Sequence, residues 1–236
     1  MKPFIAILKK ELRLYWNSPI AYVFIIAFLG ISFWFFFRTF FLVGQTEMRP
    51  FFNLLPWIYL FIIPALTMRS WSEEYRQGTI ETLLTSSLSY VKIILGKFTA
   101  TTIFLAITLI ATLSLPISIS FIGNLDIGTV FVGYLGALFL GMLYIAIGLF
   151  ISSMFNNQIV SFIISVIACF ILFVIGEPIV TFSLAGFFAP ILEFIGVGSH
   201  YDAMVRGVID TKDLIYYLSV SALFLYLNLQ VLLFKK

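Results

Sequence analysis

The sequence predicts an all-α integral membrane protein with six transmembrane helices. The first reason is composition: 61% of the 236 residues are hydrophobic and 11% are charged, whereas soluble domains are about 25% charged. The second is the spacing of the charges, which leaves long uncharged stretches between short polar segments. A soluble protein of this composition would lack the polar side chains needed to cover its surface, so the bilayer is the solvent that fits it.

Uncharged stretches of about 20 residues locate the spans, because a charged side chain at the bilayer centre costs at least about 2.5 kcal/mol. The longest stretch, between Asp126 and Glu177, holds two spans that are divided by the polar segment 152–158. The predicted spans cover about 20–42, 51–69, 98–121, 128–151, 159–176 and 214–234. In this arrangement ten of the 14 Lys and Arg residues fall on the side of the N-terminus and four on the other. Both termini are therefore expected in the cytoplasm.

Two segments outside the spans are predicted to lie at the membrane surfaces. Residues 3–17 form an amphipathic interfacial helix, with Phe4 and Leu8 on the apolar face and Lys9 and Lys10 on the basic face. Residues 178–205 are apolar but interrupted by proline and glycine, which predicts an outer re-entrant hairpin of short helices rather than a span.

The cytoplasmic loop 70–97, between spans two and three, is predicted to contain a short helix rich in carboxylates. Ser72 is its predicted N-cap, with Glu73 and Glu74 in the positive first turn. Gly78 falls within the predicted helix and costs about 1 kcal/mol relative to Ala, which indicates a kink or a close contact. The loop is either a docking platform or an ordinary solvated loop, and charge alone favours the second.

Span four carries Gly133, Ala137 and Gly141 at four-residue spacing. Small residues at this spacing let two helix backbones approach closely. We expect this face to pack against another helix, either in the same chain or in a partner chain.

Three titratable residues near the outer surface are further candidates for function. Glu177 and Glu193 are carboxylates at the membrane, where such groups are functional candidates, although the outer interface can also solvate them. His200 lies beside Ser199 and Asp202 in sequence, but a catalytic triad would require the three side chains to meet in space.

The sequence lacks the motifs of an energy-converting or metal-dependent enzyme. It contains no G-x-x-x-x-G-K-S/T phosphate-binding loop and no H-E-x-x-H zinc motif. It has a single histidine and a single cysteine, and its net charge is +3 without the clustering that a nucleic-acid groove needs. We therefore expect no cofactor on this chain, no catalysis and no nucleic-acid partner, so a partner must supply the energy for any uphill transport.

Residues 74–85, EYRQGTIETLLT, resemble the E-x-x-x-G-T-x-E-x-L-L-x signature of ABC-2 type permeases, and they lie between spans two and three as in that family. LKKEL at 8–12 resembles the family's amphipathic first helix, and residues 56–69 resemble its second span. Segments within 200–216 resemble the gliding-motility-associated subgroup of these permeases.

The resemblance implies a permease subunit of an ABC exporter in the bacterial cytoplasmic (inner) membrane. Two permease chains, identical or related, would form the translocation path, and a dimer of cytosolic ATPases would bind ATP and Mg²⁺ and drive it. An accessory subunit is a further candidate partner. The resemblance places an ATPase-coupling helix at Glu73, Glu74, Arg76, Gly78, Thr79, Glu81 and Leu84.

Other functions stay open when the residues are considered without the resemblance. A membrane-embedded enzyme would use Glu177, Glu193, His200 or Asp202, and would need them to converge on one site. An autonomous carrier would work without an ATPase, and a structural anchor of a larger machine would need only a docking loop. No motif in the sequence indicates the substrate.

Overall fold

A computed structural model describes residues 2–44, 46–80, 89–177, 180 and 189–235. Within these ranges the chain is helical and contains no strand. The helices are α1 (Lys2–Asn17), α2 (Pro19–Val43), α3 (Arg49–Thr67), α4 (Arg69–Arg76), α5 (Tyr90–Ala111), α6 (Ser114–Ser120), α7 (Ile127–Met154), α8 (Gln158–Val174), α9 (Ala189–Ile195), α10 (Val197–Val205) and α11 (Thr211–Phe234).

Five of the described segments are long and apolar enough to cross a membrane, and they are Ala21–Leu42, Arg49–Arg76, Tyr90–Ser120, Ile127–Met154 and Thr211–Phe234. The remaining predicted span, the fifth at 159–176, corresponds to α8, an apolar helix of 17 residues. At a rise of 1.5 Å per residue α8 is about 26 Å long, slightly less than the hydrocarbon core of about 30 Å.

The third span begins earlier than its predicted start at residue 98. Helix α5 starts at Tyr90 and therefore includes Lys97, which is 3% exposed. The prediction treated this charge as the end of the apolar stretch, whereas two carboxylates from other helices neutralise it inside the fold. At its other end α5 stops at Ala111, because Pro116 has no N–H to continue the helical bonding and a separate short helix, α6, follows.

Helix α7 is the centre of the bundle. In its most apolar 18-residue stretch 72% of the residues are buried, against 22% in α2 and in α11. It packs against α3, α5, α8, α10 and α11. A Cβ atom at Gly133 would lie 2.3 Å from the ring of Phe52 in α3, and one at Gly141 would lie 2.2 Å from Leu105 in α5. Ala137 is fully buried between them. The small residues of this face thus lie against helices of the same chain.

Two prolines interrupt the hydrogen bonding of α3. Pro56 has no N–H, so it leaves the carbonyl of Phe52 without its usual helical donor. The buried hydroxyl of Tyr201, from α10, donates to this carbonyl oxygen at 2.9 Å. A backbone acceptor exposed by a proline inside an apolar bundle is therefore satisfied by a side chain of another helix.

The predicted outer hairpin at 178–205 is described only in part. Residues 178–179 and 181–188 lie outside the described residues, and residues 189–205 contain the short helices α9 and α10. Gly196, between these helices, crosses Gly176 so closely that a Cβ on Gly196 would lie 2.2 Å from the Gly176 Cα. The crossing holds α9 and α10 against the end of α8.

We predict that Gly133→Ala lowers the stability of the protein by about 1–3 kcal/mol, because the added methyl group overlaps the buried Phe52 ring. The matched control is Gly30→Ala in α2, where a Cβ meets nothing within 4 Å. Thermal unfolding of both purified variants in the same detergent measures the difference, and equal midpoints would contradict the packing described for α7.

Candidate functional site

The candidate site is α4 together with the residues that fix it at one end of the bundle, which we call the α4 end. Helix α4 follows α3 after a single turn residue, Met68, and starts at Arg69. The predicted N-cap role of Ser72 is therefore wrong, because Ser72 lies in the middle of α4 and its side chain is fully buried. The opposite end of the bundle holds residues 46–48 and 121–126 together with α9 and α10.

A cluster of serines joins α4 to the junction between α7 and α8. The Ser72 hydroxyl donates to the Phe155 carbonyl oxygen at 2.8 Å and lies 2.9 Å from the Ser161 hydroxyl oxygen. The Ser152 hydroxyl donates to the Met68 carbonyl oxygen at 3.0 Å and accepts from the Trp71 N–H at 3.1 Å. These bonds satisfy backbone groups at two helix ends that would otherwise be buried without partners.

A buried ion cluster joins α4 to α1 and α5. The Lys97 ammonium lies 2.9 Å from Glu74 Oε1 and 3.2 Å from Glu11 Oε1, and it also donates to the Ser70 carbonyl oxygen at 2.8 Å. The exposed Lys10 lies 3.8 Å from the same Glu74 oxygen, so two ammonium groups balance two carboxylates. A buried charge is tolerated only when it is paired and hydrogen-bonded in this way.

The close contact of α1 with α5 brings this cluster together. A Cβ on Gly96 would lie 2.6 Å from Ile7, so only glycine at this position lets α1 approach. Ile7 and Glu11 are one helical turn apart on the buried face of α1. The sequence predicts α1 on the membrane surface, but it contains no signal that Glu11 and Lys97 are partners.

Two further contacts hold α4 from the other side. Glu73 accepts hydrogen bonds at 2.7 Å from both Arg76 and Gln77, and it pairs with Gln158 at the start of α8. Lys235, after α11, donates to the Ser153 carbonyl oxygen at 2.9 Å, and its Nζ lies 4.3 Å from the centre of the Tyr75 ring. Desolvation at this position lowers the pKa of Lys235 below its usual value.

Gly78 terminates α4, which differs from the kink or close contact expected from the sequence. Its φ is +68°, a left-handed conformation that glycine adopts readily after a helix C-terminus. A Cβ at Gly78 would meet nothing within 4 Å, so glycine is favoured here by its left-handed backbone conformation and not by a lack of room for a side chain. Of the other residues predicted for coupling, Thr79 is exposed next to Gly78, whereas Glu81 and Leu84 lie outside the described residues.

The residues of the predicted coupling helix divide into two groups. Glu74 is directed into the ion cluster and its side chain is 15% exposed, whereas the Arg76 side chain is 68% exposed. Residues 76–79 form a continuous exposed segment, followed by the buried Ile80. The inner group fixes α4, and the exposed segment is available to a partner.

The candidates at the opposite end do not assemble a catalytic triad. His200 pairs with Asp213 and not with Asp202, and Asp202 pairs with Arg206. The Ser199 hydroxyl donates to the Glu193 carbonyl oxygen at 2.6 Å and is thus not bonded to the histidine.

Glu177 and Asp202 line a cavity of about 350 Å³ between α3, α8 and α10, together with Asn53, Trp57 and Tyr201. Burial and the Asp202 charge raise the pKa of Glu177. Within the described ranges no three His, Cys, Asp or Glu side chains lie close enough to hold a metal ion.

Apolar helices long enough to cross a bilayer, with a polar cluster at one end, define a multi-pass membrane protein. The model of a family described as ABC-2 family transporter protein matches residues 36–234. The chain therefore belongs to the ABC-2 family and is a permease of an ABC transporter, which implies an ATPase partner. A comparison with curated proteins gave no match.

We predict that Lys97→Met destabilises the protein by about 3 kcal/mol, because it leaves Glu11 and Glu74 close together and buried without their cation. The matched control is Lys92→Met, an exposed position in the same helix, where a change within about 0.5 kcal/mol is expected. Thermal unfolding in detergent measures both. Recovery of the unfolding midpoint when Glu11→Gln and Glu74→Gln are added to Lys97→Met would show that the loss of stability is caused by unpaired charge. An unchanged midpoint in Lys97→Met would contradict the role given to the ion cluster.

Proposed function

We propose that α4 is the part of this permease through which the ATPase drives the membrane helices. The observation that carries the proposal is the set of polar contacts around α4. Its side chains and backbone bond to α1 and α5 through the ion cluster and to the α7–α8 junction through the serines, and its Tyr75 contacts Lys235 after α11. A displacement of α4 is therefore transmitted directly to most of the bundle.

The exposed segment 76–79 is the surface proposed for ATPase contact. Arg76 offers a guanidinium that is partly neutralised by Glu73, and Gly78 sets the direction of the chain as it leaves α4. The proposed contact continues through Glu81 and Leu84, on the grounds of the family signature. The inner residue Glu74 acts differently, because it transmits force into the bundle and does not touch the ATPase.

The proposal extends to the assembly and its energy source. Two permease chains, identical or related, form the path, with a dimer of cytosolic ATPases that holds ATP and Mg²⁺. This chain itself catalyses no reaction. The direction of transport is export. The absence of a phosphate-binding loop from the sequence supports the proposal that ATP is bound and hydrolysed by a separate subunit.

The proposed topology has six spans, α2, α3, α5, α7, α8 and α11, in the bacterial inner membrane. Both termini and α4 then lie in the cytoplasm, and α9 and α10 lie at the outer surface. The distribution of Lys and Arg supports this orientation. The likeness of residues 200–216 to the gliding-associated subgroup is kept as a prediction.

We predict that purification of the tagged chain from its native membrane recovers an ATPase subunit with a phosphate-binding loop. Arg76→Glu lowers the recovered ATPase at least about tenfold, because a reversed charge in the contact surface opposes docking. Arg49→Glu is the control, since Arg49 is also an exposed arginine paired with a nearby glutamate but lies at the opposite end of the bundle. Recovery of the chain without any ATPase would contradict the proposed function.

We predict that Gly78→Ala leaves the complex assembled but lowers permease-dependent ATP hydrolysis about five- to tenfold. The alanine Cβ opposes the left-handed conformation at Gly78 by about 1–2 kcal/mol, so the segment after α4 is displaced. The measurement compares ATP hydrolysis by the purified complex with that of the isolated ATPase. Gly30→Ala serves as control, and unchanged hydrolysis in the Gly78 variant would exclude this turn from coupling.

A further inference from the structure

His200 and Asp213 form a buried pair at the end of the bundle opposite α4. The His200 Nδ1 atom lies 2.6 Å from Asp213 Oδ1, and the two side chains are 7% and 1% exposed. Within the described part of the chain no other cationic side chain pairs with Asp213, and its second oxygen has no hydrogen-bond partner. The histidine ring is therefore the group that compensates the Asp213 carboxylate.

Both nitrogens of the His200 ring face oxygen atoms. Nδ1 faces the Asp213 carboxylate, and Nε2 lies 3.0 Å from the Phe194 carbonyl oxygen. A neutral imidazole has one N–H donor and one acceptor nitrogen, whereas the protonated ring has two donors. Beside an ionised Asp213 carboxylate, a neutral ring would place a lone pair against one of the two oxygens, so the geometry fits a doubly protonated ring paired with the carboxylate.

The surroundings of the ring favour a positive charge. The Tyr216 ring stacks on His200 with the ring centres 4.0 Å apart, and an aromatic face attracts a cation. Asp202 and Arg206 pair with each other on the exposed side of α10. The uncharged or acidic titratable groups on the elements packed around this pair include Tyr201 of α10, Tyr217 of α11, Tyr134 and Tyr144 of α7, Tyr59 of α3, Cys169 of α8, Glu193 of α9, and Glu177, which lies against Gly198. At neutral pH these groups are neutral or negative, so none of them repels a charged ring. The cations Lys212 of α11 and Arg49 of α3 are exposed and pair with Asp210 and Glu47.

We propose that His200 and Asp213 form a proton-binding site, in which a proton held on the ring fastens α9 and α10 to α11. The charged ring donates to Phe194 of α9 and to Asp213 of α11 at the same time. Loss of the proton removes one of these hydrogen bonds and leaves the buried Asp213 charge uncompensated, which loosens α9 and α10. Under the proposed topology this end faces the exterior; this placement alone rests on the proposed function.

The first test uses the fact that His200 is the only histidine in the chain. The purified full-length chain is labelled with ¹⁵N-histidine in lipid nanodiscs, and NMR counts the protonated ring nitrogens at pH 7.5, where an ordinary histidine is mostly neutral. We expect two protonated nitrogens in the unmodified chain and one in Asp213→Asn. A single protonated nitrogen in the unmodified chain overturns the proposal, whatever the outcome for the ATPase partner.

The second test measures how stably α10 is held against α11, by backbone hydrogen exchange in α10. We expect Asp213→Asn to exchange about tenfold faster than the unmodified chain, because it removes a charged hydrogen bond. Asp202→Asn is the matched control, since it makes the same chemical change in an exposed ion pair of α10 and should leave exchange within about twofold. Equal exchange in Asp213→Asn and the unmodified chain would overturn the proposed link between α10 and α11.

Discussion

The burial of Lys97 is the constraint on which the arrangement of the α4 end depends. An ammonium group that is 3% exposed needs carboxylates at hydrogen-bond distance, and Glu11 and Glu74 are the two that supply them. Because these three residues come from three helices, satisfying one charge fixes α1, α4 and α5 relative to one another. The same geometry decides which face of α4 is directed inward and leaves Arg76 exposed.

The two ends of the bundle are held by different chemistry. At the α4 end, charged groups and serine hydroxyls make the contacts between helices. At the opposite end, three tyrosines of α10 and α11 donate to backbone carbonyl oxygens where the helices are broken, and these acceptors are Phe52, Ile195 and Val197. A hydroxyl bonded to a carbonyl carries no net charge, so these three contacts persist when salt is changed, whereas the exposed charged members of the α4 end respond to it.

The sequence predicted the features that depend on local composition and missed those that depend on distant partners. Apolar stretches located the long helices, since hydropathy is read residue by residue. The start of α5 was misplaced because Lys97 looks like a span boundary until Glu11, 86 residues earlier, is found beside it. The family signature identified the α4 segment, but the roles of Ser72 and Gly78 required the observed helix bounds. Nothing in the local sequence indicates that His200 meets Asp213.

The hydrogen bond from Tyr201 to the Phe52 carbonyl links α10 to the point at which α3 can bend. Pro56 removes the internal donor, so α3 can bend at this level without breaking any bond of its own. Moving α10 away, however, would leave the Phe52 carbonyl without a hydrogen-bond donor in an apolar setting, at a cost of about 1–3 kcal/mol unless water reached it. Bending of α3 at Pro56 therefore costs little free energy, whereas separation of α3 from α10 requires water to reach the Phe52 carbonyl. The cavity beside Asn53 and Tyr201 is where that water would first be needed.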